Sequence, residues 1–363
     1  MRKAERMEKK IILTGGGSAG HVTPNLALLP QLQAEGYDVH YIGTAEGIER
    51  NIVADREGVT YHSISSGKLR RYFSWKNFTD PFRVLKGFFE ARKIIGQVKP
   101  EVVFSKGGFV SVPVVVAAKS RNVPVVTHES DYTPGLANKI NAKFATKICV
   151  TFEDTLKHVG AKGVHTGTPI RPELYTGKKE KGLAFLGFDD KKPILLIMGG
   201  SLGAQAVNDA VRAALPDLLR SFDVVHLCGK GKLDPAAEQP GYRQYEYISE
   251  ELPDILAATD VIISRAGANA VFEFLALSKP ALLIPLPLSA SRGDQILNAG
   301  YFARKGFATV LEQEQLNADT LLDAVSDLYD RRLSFLSTMS AEPRTDGTDE
   351  VLAVIRKTAH GER

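Results

Sequence analysis

Cysteine is nearly absent from this chain of 363 residues, which carries only Cys149 and Cys228. Two thiols cannot build a disulfide framework or a cysteine metal cluster. Their settings, Lys-Ile-Cys-Val and His-Leu-Cys, predict buried structural thiols. Long apolar runs are also missing. No stretch approaches the ~20 residues that a membrane-spanning helix needs. Met1 to Lys10 is charged and only Ile11, Ile12 and Leu13 follow before a glycine cluster, so no signal-peptide core is visible. The expectation is a cytoplasmic protein, with Met7 as an alternative start. No Asp-x-Asp occurs, so no metal site and no cofactor are expected. Charge of one sign is lacking too: 46 Lys and Arg against 42 Asp and Glu leave +4, too little to argue a nucleic-acid partner.

What the sequence does have is a strand and glycine loop that occurs twice. Ile11-Ile12-Leu13-Thr14 runs into Gly15-Gly16-Gly17-Ser18-Ala19-Gly20-His21, and Ile194-Leu195-Leu196-Ile197-Met198 runs into Gly199-Gly200-Ser201-Leu202-Gly203-Ala204. An apolar strand entering a glycine turn and then a helix presents backbone N–H groups to an anion. Two copies imply two similar lobes. His21 falls opposite Ala204, so only one copy carries an imidazole.

Short β-branched runs alternate with helical patterns along the chain: Val39–Ile42, Val102–Phe104, Val123–Val126, Lys147–Val150, Ile194–Met198, Val224–Leu227, Val261–Ser264 and Ala281–Ile284. That alternation predicts an α/β fold of parallel sheets wound by helices. The polar stretch around Thr176-Gly177-Lys178-Lys179-Glu180-Lys181 predicts a linker. The domains are therefore placed at 9–170 and 192–345, joined by 171–191. The remainder, 346–363, is read as a helix that packs on either domain.

Gly15-x-Gly17-x-x-Gly20 also fits a dinucleotide fingerprint, which needs an acid after the second strand to hold a ribose. Here that strand ends in Gly43-Thr44 with no carboxylate before Glu46, which counts against NAD. A third glycine turn, Gly107-Gly108, follows Val102–Ser105. Three such turns at strand ends would line a cleft between the lobes. Arg265-Ala266-Gly267-Ala268-Asn269-Ala270 leads into a helix that places Glu273 one turn inside, where a carboxylate can hold a ribose diol. Asp294-Gln295 opens another helix with groups suited to sugar hydroxyls, and Arg171 lies at the domain junction within reach of a diphosphate. The plainer readings are a helix-terminal charge for Asp294 and a solvated helix residue for Glu273.

In this order and number the segments resemble the MurG family, GT-B transferases of cell-wall synthesis, over nearly the whole chain. Further matching segments are Gly107-Gly108-Phe109-Val110-Ser111, His128-Glu129, Gly135-Leu136-Ala137-Asn138-Lys139 and Thr166-Gly167-x-Pro169-x-Arg171. The resemblance implies a GT-B fold of two Rossmann-like, doubly wound domains facing a central cleft. It implies inverting transfer of N-acetylglucosamine from UDP-GlcNAc to the C4 hydroxyl of undecaprenyl-diphospho-N-acetylmuramoyl-pentapeptide. By that likeness Gly200, Ser201, Leu202, Gly203 and Arg171 meet the donor diphosphate. Ile248 offers its backbone to uracil, with Ala268, Asn269 and Ala270 close by and Glu273 on the ribose. Asp294 and Gln295 take the donor sugar. Gly16, Gly17, Ser18, Gly20, Gly107, Gly108 and Asn138 face the acceptor diphosphate, and His21, Glu129 and Asp131 are the candidate bases. The family segment His-Glu-Gln-Asn reads His128-Glu129-Ser130-Asp131 here, a carboxylate for an amide, and Val112 replaces the glycine before Pro113.

Residues 68–99 interleave basic and aromatic side chains, among them Arg70, Arg71, Phe73, Trp75, Lys76 and Phe78. Val84, Phe88, Ala91, Ile95 and Val98 recur at helical spacing and read as core. The basic residues read either as a solvated face or as a docking surface for anionic inner-leaflet lipids. The second reading suits a lipid-linked acceptor and a peripheral place on the cytoplasmic side of the membrane. Alternatives to the family's reaction are a UDP-sugar transferase acting on another lipid or secondary metabolite, a UDP-GlcNAc 2-epimerase, and a non-catalytic paralogue that binds UDP-sugar or lipid.

Overall fold

The computed structural model describes residues 9–67, 76–200, 203–343 and 345–361, and gives 76–81 as backbone only. The chain divides into two compact units, residues 1–171 with 346–363, and residues 172–345. Each is an α/β body whose strands are apolar because both sheet faces are covered by helices.

The first unit holds β1 (Lys9–Thr14), β2 (Tyr37–Thr44), β3 (Val59–Ile64), β4 (Val102–Ser105), β5 (Val125–Glu129), β6 (Lys147–Val150) and β7 (Gly163–His165). They form one sheet in the order β3-β2-β1-β4-β5-β6-β7, with every pairing parallel. The second unit holds β8 (Ile194–Met198), β9 (Asp223–Leu227), β10 (Tyr242–Tyr245), β11 (Val261–Ser264), β12 (Ala281–Leu283) and β13 (Ala308–Val310), in the order β10-β9-β8-β11-β12-β13 and again all parallel. In each sheet the winding reverses beside the first strand, between β1 and β4 and between β8 and β11. Loops leave a parallel sheet on opposite sides at such a point and open a crevice at the strand ends. The duplicated glycine loops follow β1 and β8.

Alternation sorts the first unit's side chains into two cores. Ile11, Leu13, Val39, Tyr41, Val102 and Phe104 pack on one face, and Ile12, Ile42, Val103 and Ile148 on the other. The second face is covered by the helix Lys76–Val98, through Ala91, Ile95 and Val98, and by the helix Ser111–Ser120. The chain's last helix, Thr348–Ala359, leaves the second unit's sequence behind and buries Val351, Leu352 and Ile355 in the first unit's other core. Fully burying three such side chains contributes roughly 1.5–3 kcal/mol each. Arg356 adds an ion pair to Glu35, at the end of the helix Thr23–Ala34.

Residues 171–191, expected as a linker, are mostly folded onto the second unit. They carry the turn Pro172–Thr176 and the helix Lys179–Leu186. A Cβ on Gly182 would lie 2.3 Å from the Asp254 carbonyl, so this helix packs flush on the helix Leu252–Ala258. Its polar residues suggested a linker because only Gly182 and Leu186 of the helix are buried. Cys149 and Cys228 are both free and buried.

Candidate functional site

At the switch point of the first sheet, two glycine turns lie against each other. A Cβ on Gly108 would stand 2.1 Å from the Gly16 carbonyl and 3.1 Å from His21 Nδ1. Gly108 also has φ +79, a conformation that side chains rarely adopt, so both the contact and the backbone require glycine here. Gly15 is similarly constrained, since its Cβ would meet the His21 carbonyl at 2.2 Å. Asn25 and Tyr41 brace the turn from below. Tyr41 donates to the Gly15 carbonyl at 2.7 Å, and Asn25 donates to Tyr41 at 3.2 Å.

His21 closes a short 3-10 turn, Ala19–His21, directly before the helix Thr23–Ala34. Its Nδ1 lies 3.1 Å from the Gly16 carbonyl and 3.0 Å from Ser18 Oγ. A carbonyl only accepts, so Nδ1 carries the proton and Nε2 of the neutral ring carries the lone pair. That is the tautomer a general base requires. Gly17 N–H donates to Glu49 Oε2 at 3.2 Å. Glu49 is fully buried, and its Oε1 accepts from Thr44 N–H and Oγ1 at 3.0 and 2.6 Å. Sequence spacing gave no sign of Glu49, because its partners lie 5 and 32 positions away.

At the end of β5, Glu129 is 4% exposed and its carboxylate takes three donors: the N–H groups of Asp131 and Gly135 at 3.0 Å and the Asn138 amide at 2.9 Å. Burial, then the neighbouring Asp131, pushes the Glu129 carboxyl up. Asn138 is itself buried and donates also to the His128 carbonyl. Together these bonds tie the loop 129–135 to the start of the helix Leu136–Phe144. His128 donates through Nε2 to the Gly167 carbonyl at 2.9 Å, so its Nδ1 accepts from Lys106 Nζ at 2.6 Å. Burial and Lys106 hold His128 well below its ordinary range, and it is neutral.

In the second unit, Gly200 and Gly203 have φ +84 and +67. A Cβ on Gly203 would meet the Cys228 carbonyl at 2.0 Å, and Lys232 Nζ donates to the Gly203 carbonyl at 3.3 Å. Ser201 and Leu202 lie outside the described residues. The helix Gln205–Ser221 starts at Ala204 with no side-chain cap, and Ala268–Ala276 starts at Gly267 likewise. First-turn N–H groups without a side-chain acceptor are what an anion uses. Both starts flank the β8/β11 switch point. Ala268, Asn269 and Ala270 form the first turn of the second of these helices, and Glu273 follows on it, half-buried. Ile248 is buried in the loop beyond β10.

Gly293, at φ +85, opens the helix Asp294–Arg304. Asp294 Oδ2 pairs with Arg292 at 3.1 Å, while its Oδ1 is buried without a hydrogen-bond partner. An orphaned carboxylate oxygen is costly and points to a missing donor such as a sugar hydroxyl. Gln295 Oε1 accepts from Leu286 N–H, and Asn298 donates to the Ala266 carbonyl, which joins this helix to the loop after β11. Arg265 is structural: it donates to the carbonyls of Ile284 and Pro285 and to Gln313. Arg171 closes the N-terminal stretch of the first unit.

On the helix Lys76–Val98, Phe82, Leu85 and Phe89 are 75, 53 and 60% exposed, a stripe at helical spacing beside Lys86, Arg92 and Lys93. Arg70, Arg71, Phe73 and Trp75 lie outside the described residues, and Lys76 and Phe78 are described as backbone only. No helix among the described residues is long and apolar enough to cross a membrane.

Residues 11–150 match the glycosyltransferase family 28 N-terminal domain and residues 194–352 the corresponding C-terminal domain. The chain is 54% identical over 353 residues to a UDP-N-acetylglucosamine–N-acetylmuramyl-(pentapeptide) pyrophosphoryl-undecaprenol N-acetylglucosamine transferase of Clostridium tetani, covering 97% of this chain and 98% of that protein. A protein of the same name from Clostridium perfringens is also 54% identical, over 97% of this chain and 99% of its own length. Among solved structures, Acinetobacter baumannii MurG aligns with TM-score 0.76 at 26% identity, over 96% of this chain and 99% of that one. The glycotransferase of kitacinnamycin aligns with TM-score 0.71 at 16% identity over 97% and 99%, a likeness of fold.

Proposed function

The chain belongs to glycosyltransferase family 28, and from that membership we propose that it transfers N-acetylglucosamine from UDP-GlcNAc to the C4 hydroxyl of undecaprenyl-diphospho-N-acetylmuramoyl-pentapeptide, with inversion. The observation that carries this is 54% identity, end to end, with transferases named for that reaction. The site geometry agrees in kind. One unit has an imidazole with its lone pair on Nε2, and the other has two uncapped helix starts and an orphaned carboxylate oxygen.

The reaction is a single displacement. His21 Nε2 takes the proton of the acceptor hydroxyl as its oxygen bonds to C1 of the sugar, and the C1–O bond to UDP breaks. General bases contribute typically 10²–10⁴-fold. The charge that grows on the departing diphosphate falls to the Gly200–Gly203 loop, the N-terminus of the helix Gln205–Ser221, and Arg171. Preorganised donors of this kind supply the larger share of such a barrier reduction. Glu273 holds the ribose, the backbone at Ile248 the uracil, and Asp294 and Gln295 the donor sugar. Gly16, Ser18, Gly20, Gly107 and Gly108 serve the acceptor diphosphate. His21 is preferred as base over Glu129, whose carboxylate already accepts three hydrogen bonds from Asp131, Gly135 and Asn138.

The enzyme works at the cytoplasmic face of the membrane as a peripheral protein, docked on anionic lipid through the Phe82, Leu85 and Phe89 stripe and its basic neighbours. UDP release from UDP-GlcNAc, measured with and without the lipid-linked muramoyl-pentapeptide, tests the proposal. Acceptor-dependent release supports it. Release only with another acceptor, or donor binding without turnover, overturns it.

A further inference from the structure

Lys106 stands where three segments of the first unit meet. Its N–H donates to the Thr14 carbonyl at 2.9 Å, at the end of β1. A Cβ on Gly15 would lie 3.2 Å from Lys106 Cβ, so the first glycine turn rests on this residue. The second turn, Gly107-Gly108, follows it directly and touches Gly16 and His21. Its side chain runs inward to the third segment. Nζ donates to His128 Nδ1 at 2.6 Å and to Ser130 Oγ.

Lys106 is only 1% exposed. Taking an ammonium out of water costs several kcal/mol, and an apolar side chain of similar length would fill the same space without that cost. Burial pushes Lys106 down to about 7, opposed by Glu129 first and then by Asp131 and Cys149. The groups that face it are His128 and Glu129 at the end of β5, Asp131 beyond them, and Cys149 on β6. Asp131 brings negative charge to the side where the proposed acceptor presents a diphosphate, and Asp131 N–H is bound to Glu129. Uncompensated, those carboxylates would repel the substrate.

We propose that Lys106 is the positioning residue of the acceptor side: its buried ammonium fixes the His128–Asp131 corner against both glycine turns and offsets the charge of Asp131 so that a diphosphate can approach. This rests on the acceptor reading given above. Lys106 touches no substrate and acts through Ser130, Asp131 and the turn that carries Gly108.

The test is a double-mutant cycle with lipid-linked muramoyl-pentapeptide as the varied substrate. Lys106→Met is expected to raise the acceptor KM about tenfold and to leave the UDP-GlcNAc KM within about twofold. In an Asp131→Asn background the same change is expected to raise the acceptor KM less than about threefold, because the charge that needed compensation has gone. Equal effects in the two backgrounds, or both KM values moving together, overturn the proposal.

A second measurement leaves Lys106 in place and covers the case in which Lys106→Met does not fold. As pH rises through about 7, Lys106 loses its proton, so the wild-type acceptor KM should rise between about pH 6 and about pH 8.5, and Asp131→Asn should flatten that rise. Parallel profiles overturn the proposal. If the wild type shows no acceptor-dependent turnover, the functional reading falls and this assignment falls with it. If turnover is present and the cycle is additive, only the role of Lys106 falls.

Discussion

His21 Nδ1 lies 3.1 Å from the Gly16 carbonyl, and that contact leaves the ring's lone pair on Nε2. The residue that distinguishes the two glycine loops is thus held by the very loop that precedes it. His21→Ala is expected to lower kcat by about 10²–10⁴ and to leave UDP affinity near the wild-type value. Steady-state kinetics with a UDP-binding titration checks both. An unchanged kcat would remove His21 from the mechanism.

Gly108→Ala tests the close approach of the two turns. The added methyl would meet the Gly16 carbonyl at 2.1 Å and His21 Nδ1 at 3.1 Å, on a backbone at φ +79. The backbone conformation alone costs roughly 1–3 kcal/mol, and relief of the clash must displace His21. Thermal unfolding should show the loss, and kcat should fall while UDP binding by the second unit persists.

Ile355→Ala tests the returning C-terminal helix. Ile355 is fully buried in the first unit's core although 184 positions separate it from Arg171, the end of that unit's main stretch. A cost of about 2–5 kcal/mol is expected in denaturant unfolding. A change below ~0.5 kcal/mol, typical of surface positions, would mean the helix does not pack there.

His226 gives a pH dependence of known sign. It is fully buried, donates through Nε2 to Asn208 Oδ1 at 3.0 Å and accepts at Nδ1 from Tyr242 at 2.8 Å. Burial, then Arg212, pushes it down to about 3. An unfolded histidine takes its proton near 6.5, so the stability His226 confers is complete above that pH. It is lost as pH falls from about 6.5 toward 3, with a slope of roughly 1.4 kcal/mol per pH unit. His226→Gln should remove that slope from the unfolding curve. Identical slopes in both proteins would show that His226 is not buried neutral.

Phe82→Ser with Phe89→Ser should reduce pelleting with anionic vesicles, and added salt should weaken wild-type binding, since each surface Lys or Arg contributes about 1 kcal/mol. Pelleting that is indifferent to salt, lipid charge and these substitutions would exclude the exposed stripe as a docking surface.

The central strands were readable from sequence because they are buried on both faces and therefore continuously apolar. The edges were not. Val59–Ile64 and Tyr242–Tyr245 mix polar with apolar residues, since one side of an edge strand meets water, and Gly163–His165 and Ala308–Val310 are too short to show a period. The helix Lys179–Leu186 looked like a linker because it is mostly exposed. The glycine turns were legible as candidates for a local reason: only glycine permits their φ and their mutual approach.

Local sequence determined the paired strand and glycine loops, the imidazole carried by one of them, and the alternation that makes parallel sheets, because each depends on neighbours a few residues apart. Tertiary structure alone decided how those residues are used. It gave the Gly17 N–H to Glu49, bound the Glu129 carboxylate to Gly135 and Asn138, buried Lys106 beneath two turns, and left one oxygen of Asp294 without a partner. Those outcomes depend on burial and on partners far apart in the chain, and only closing the sheets brings them together.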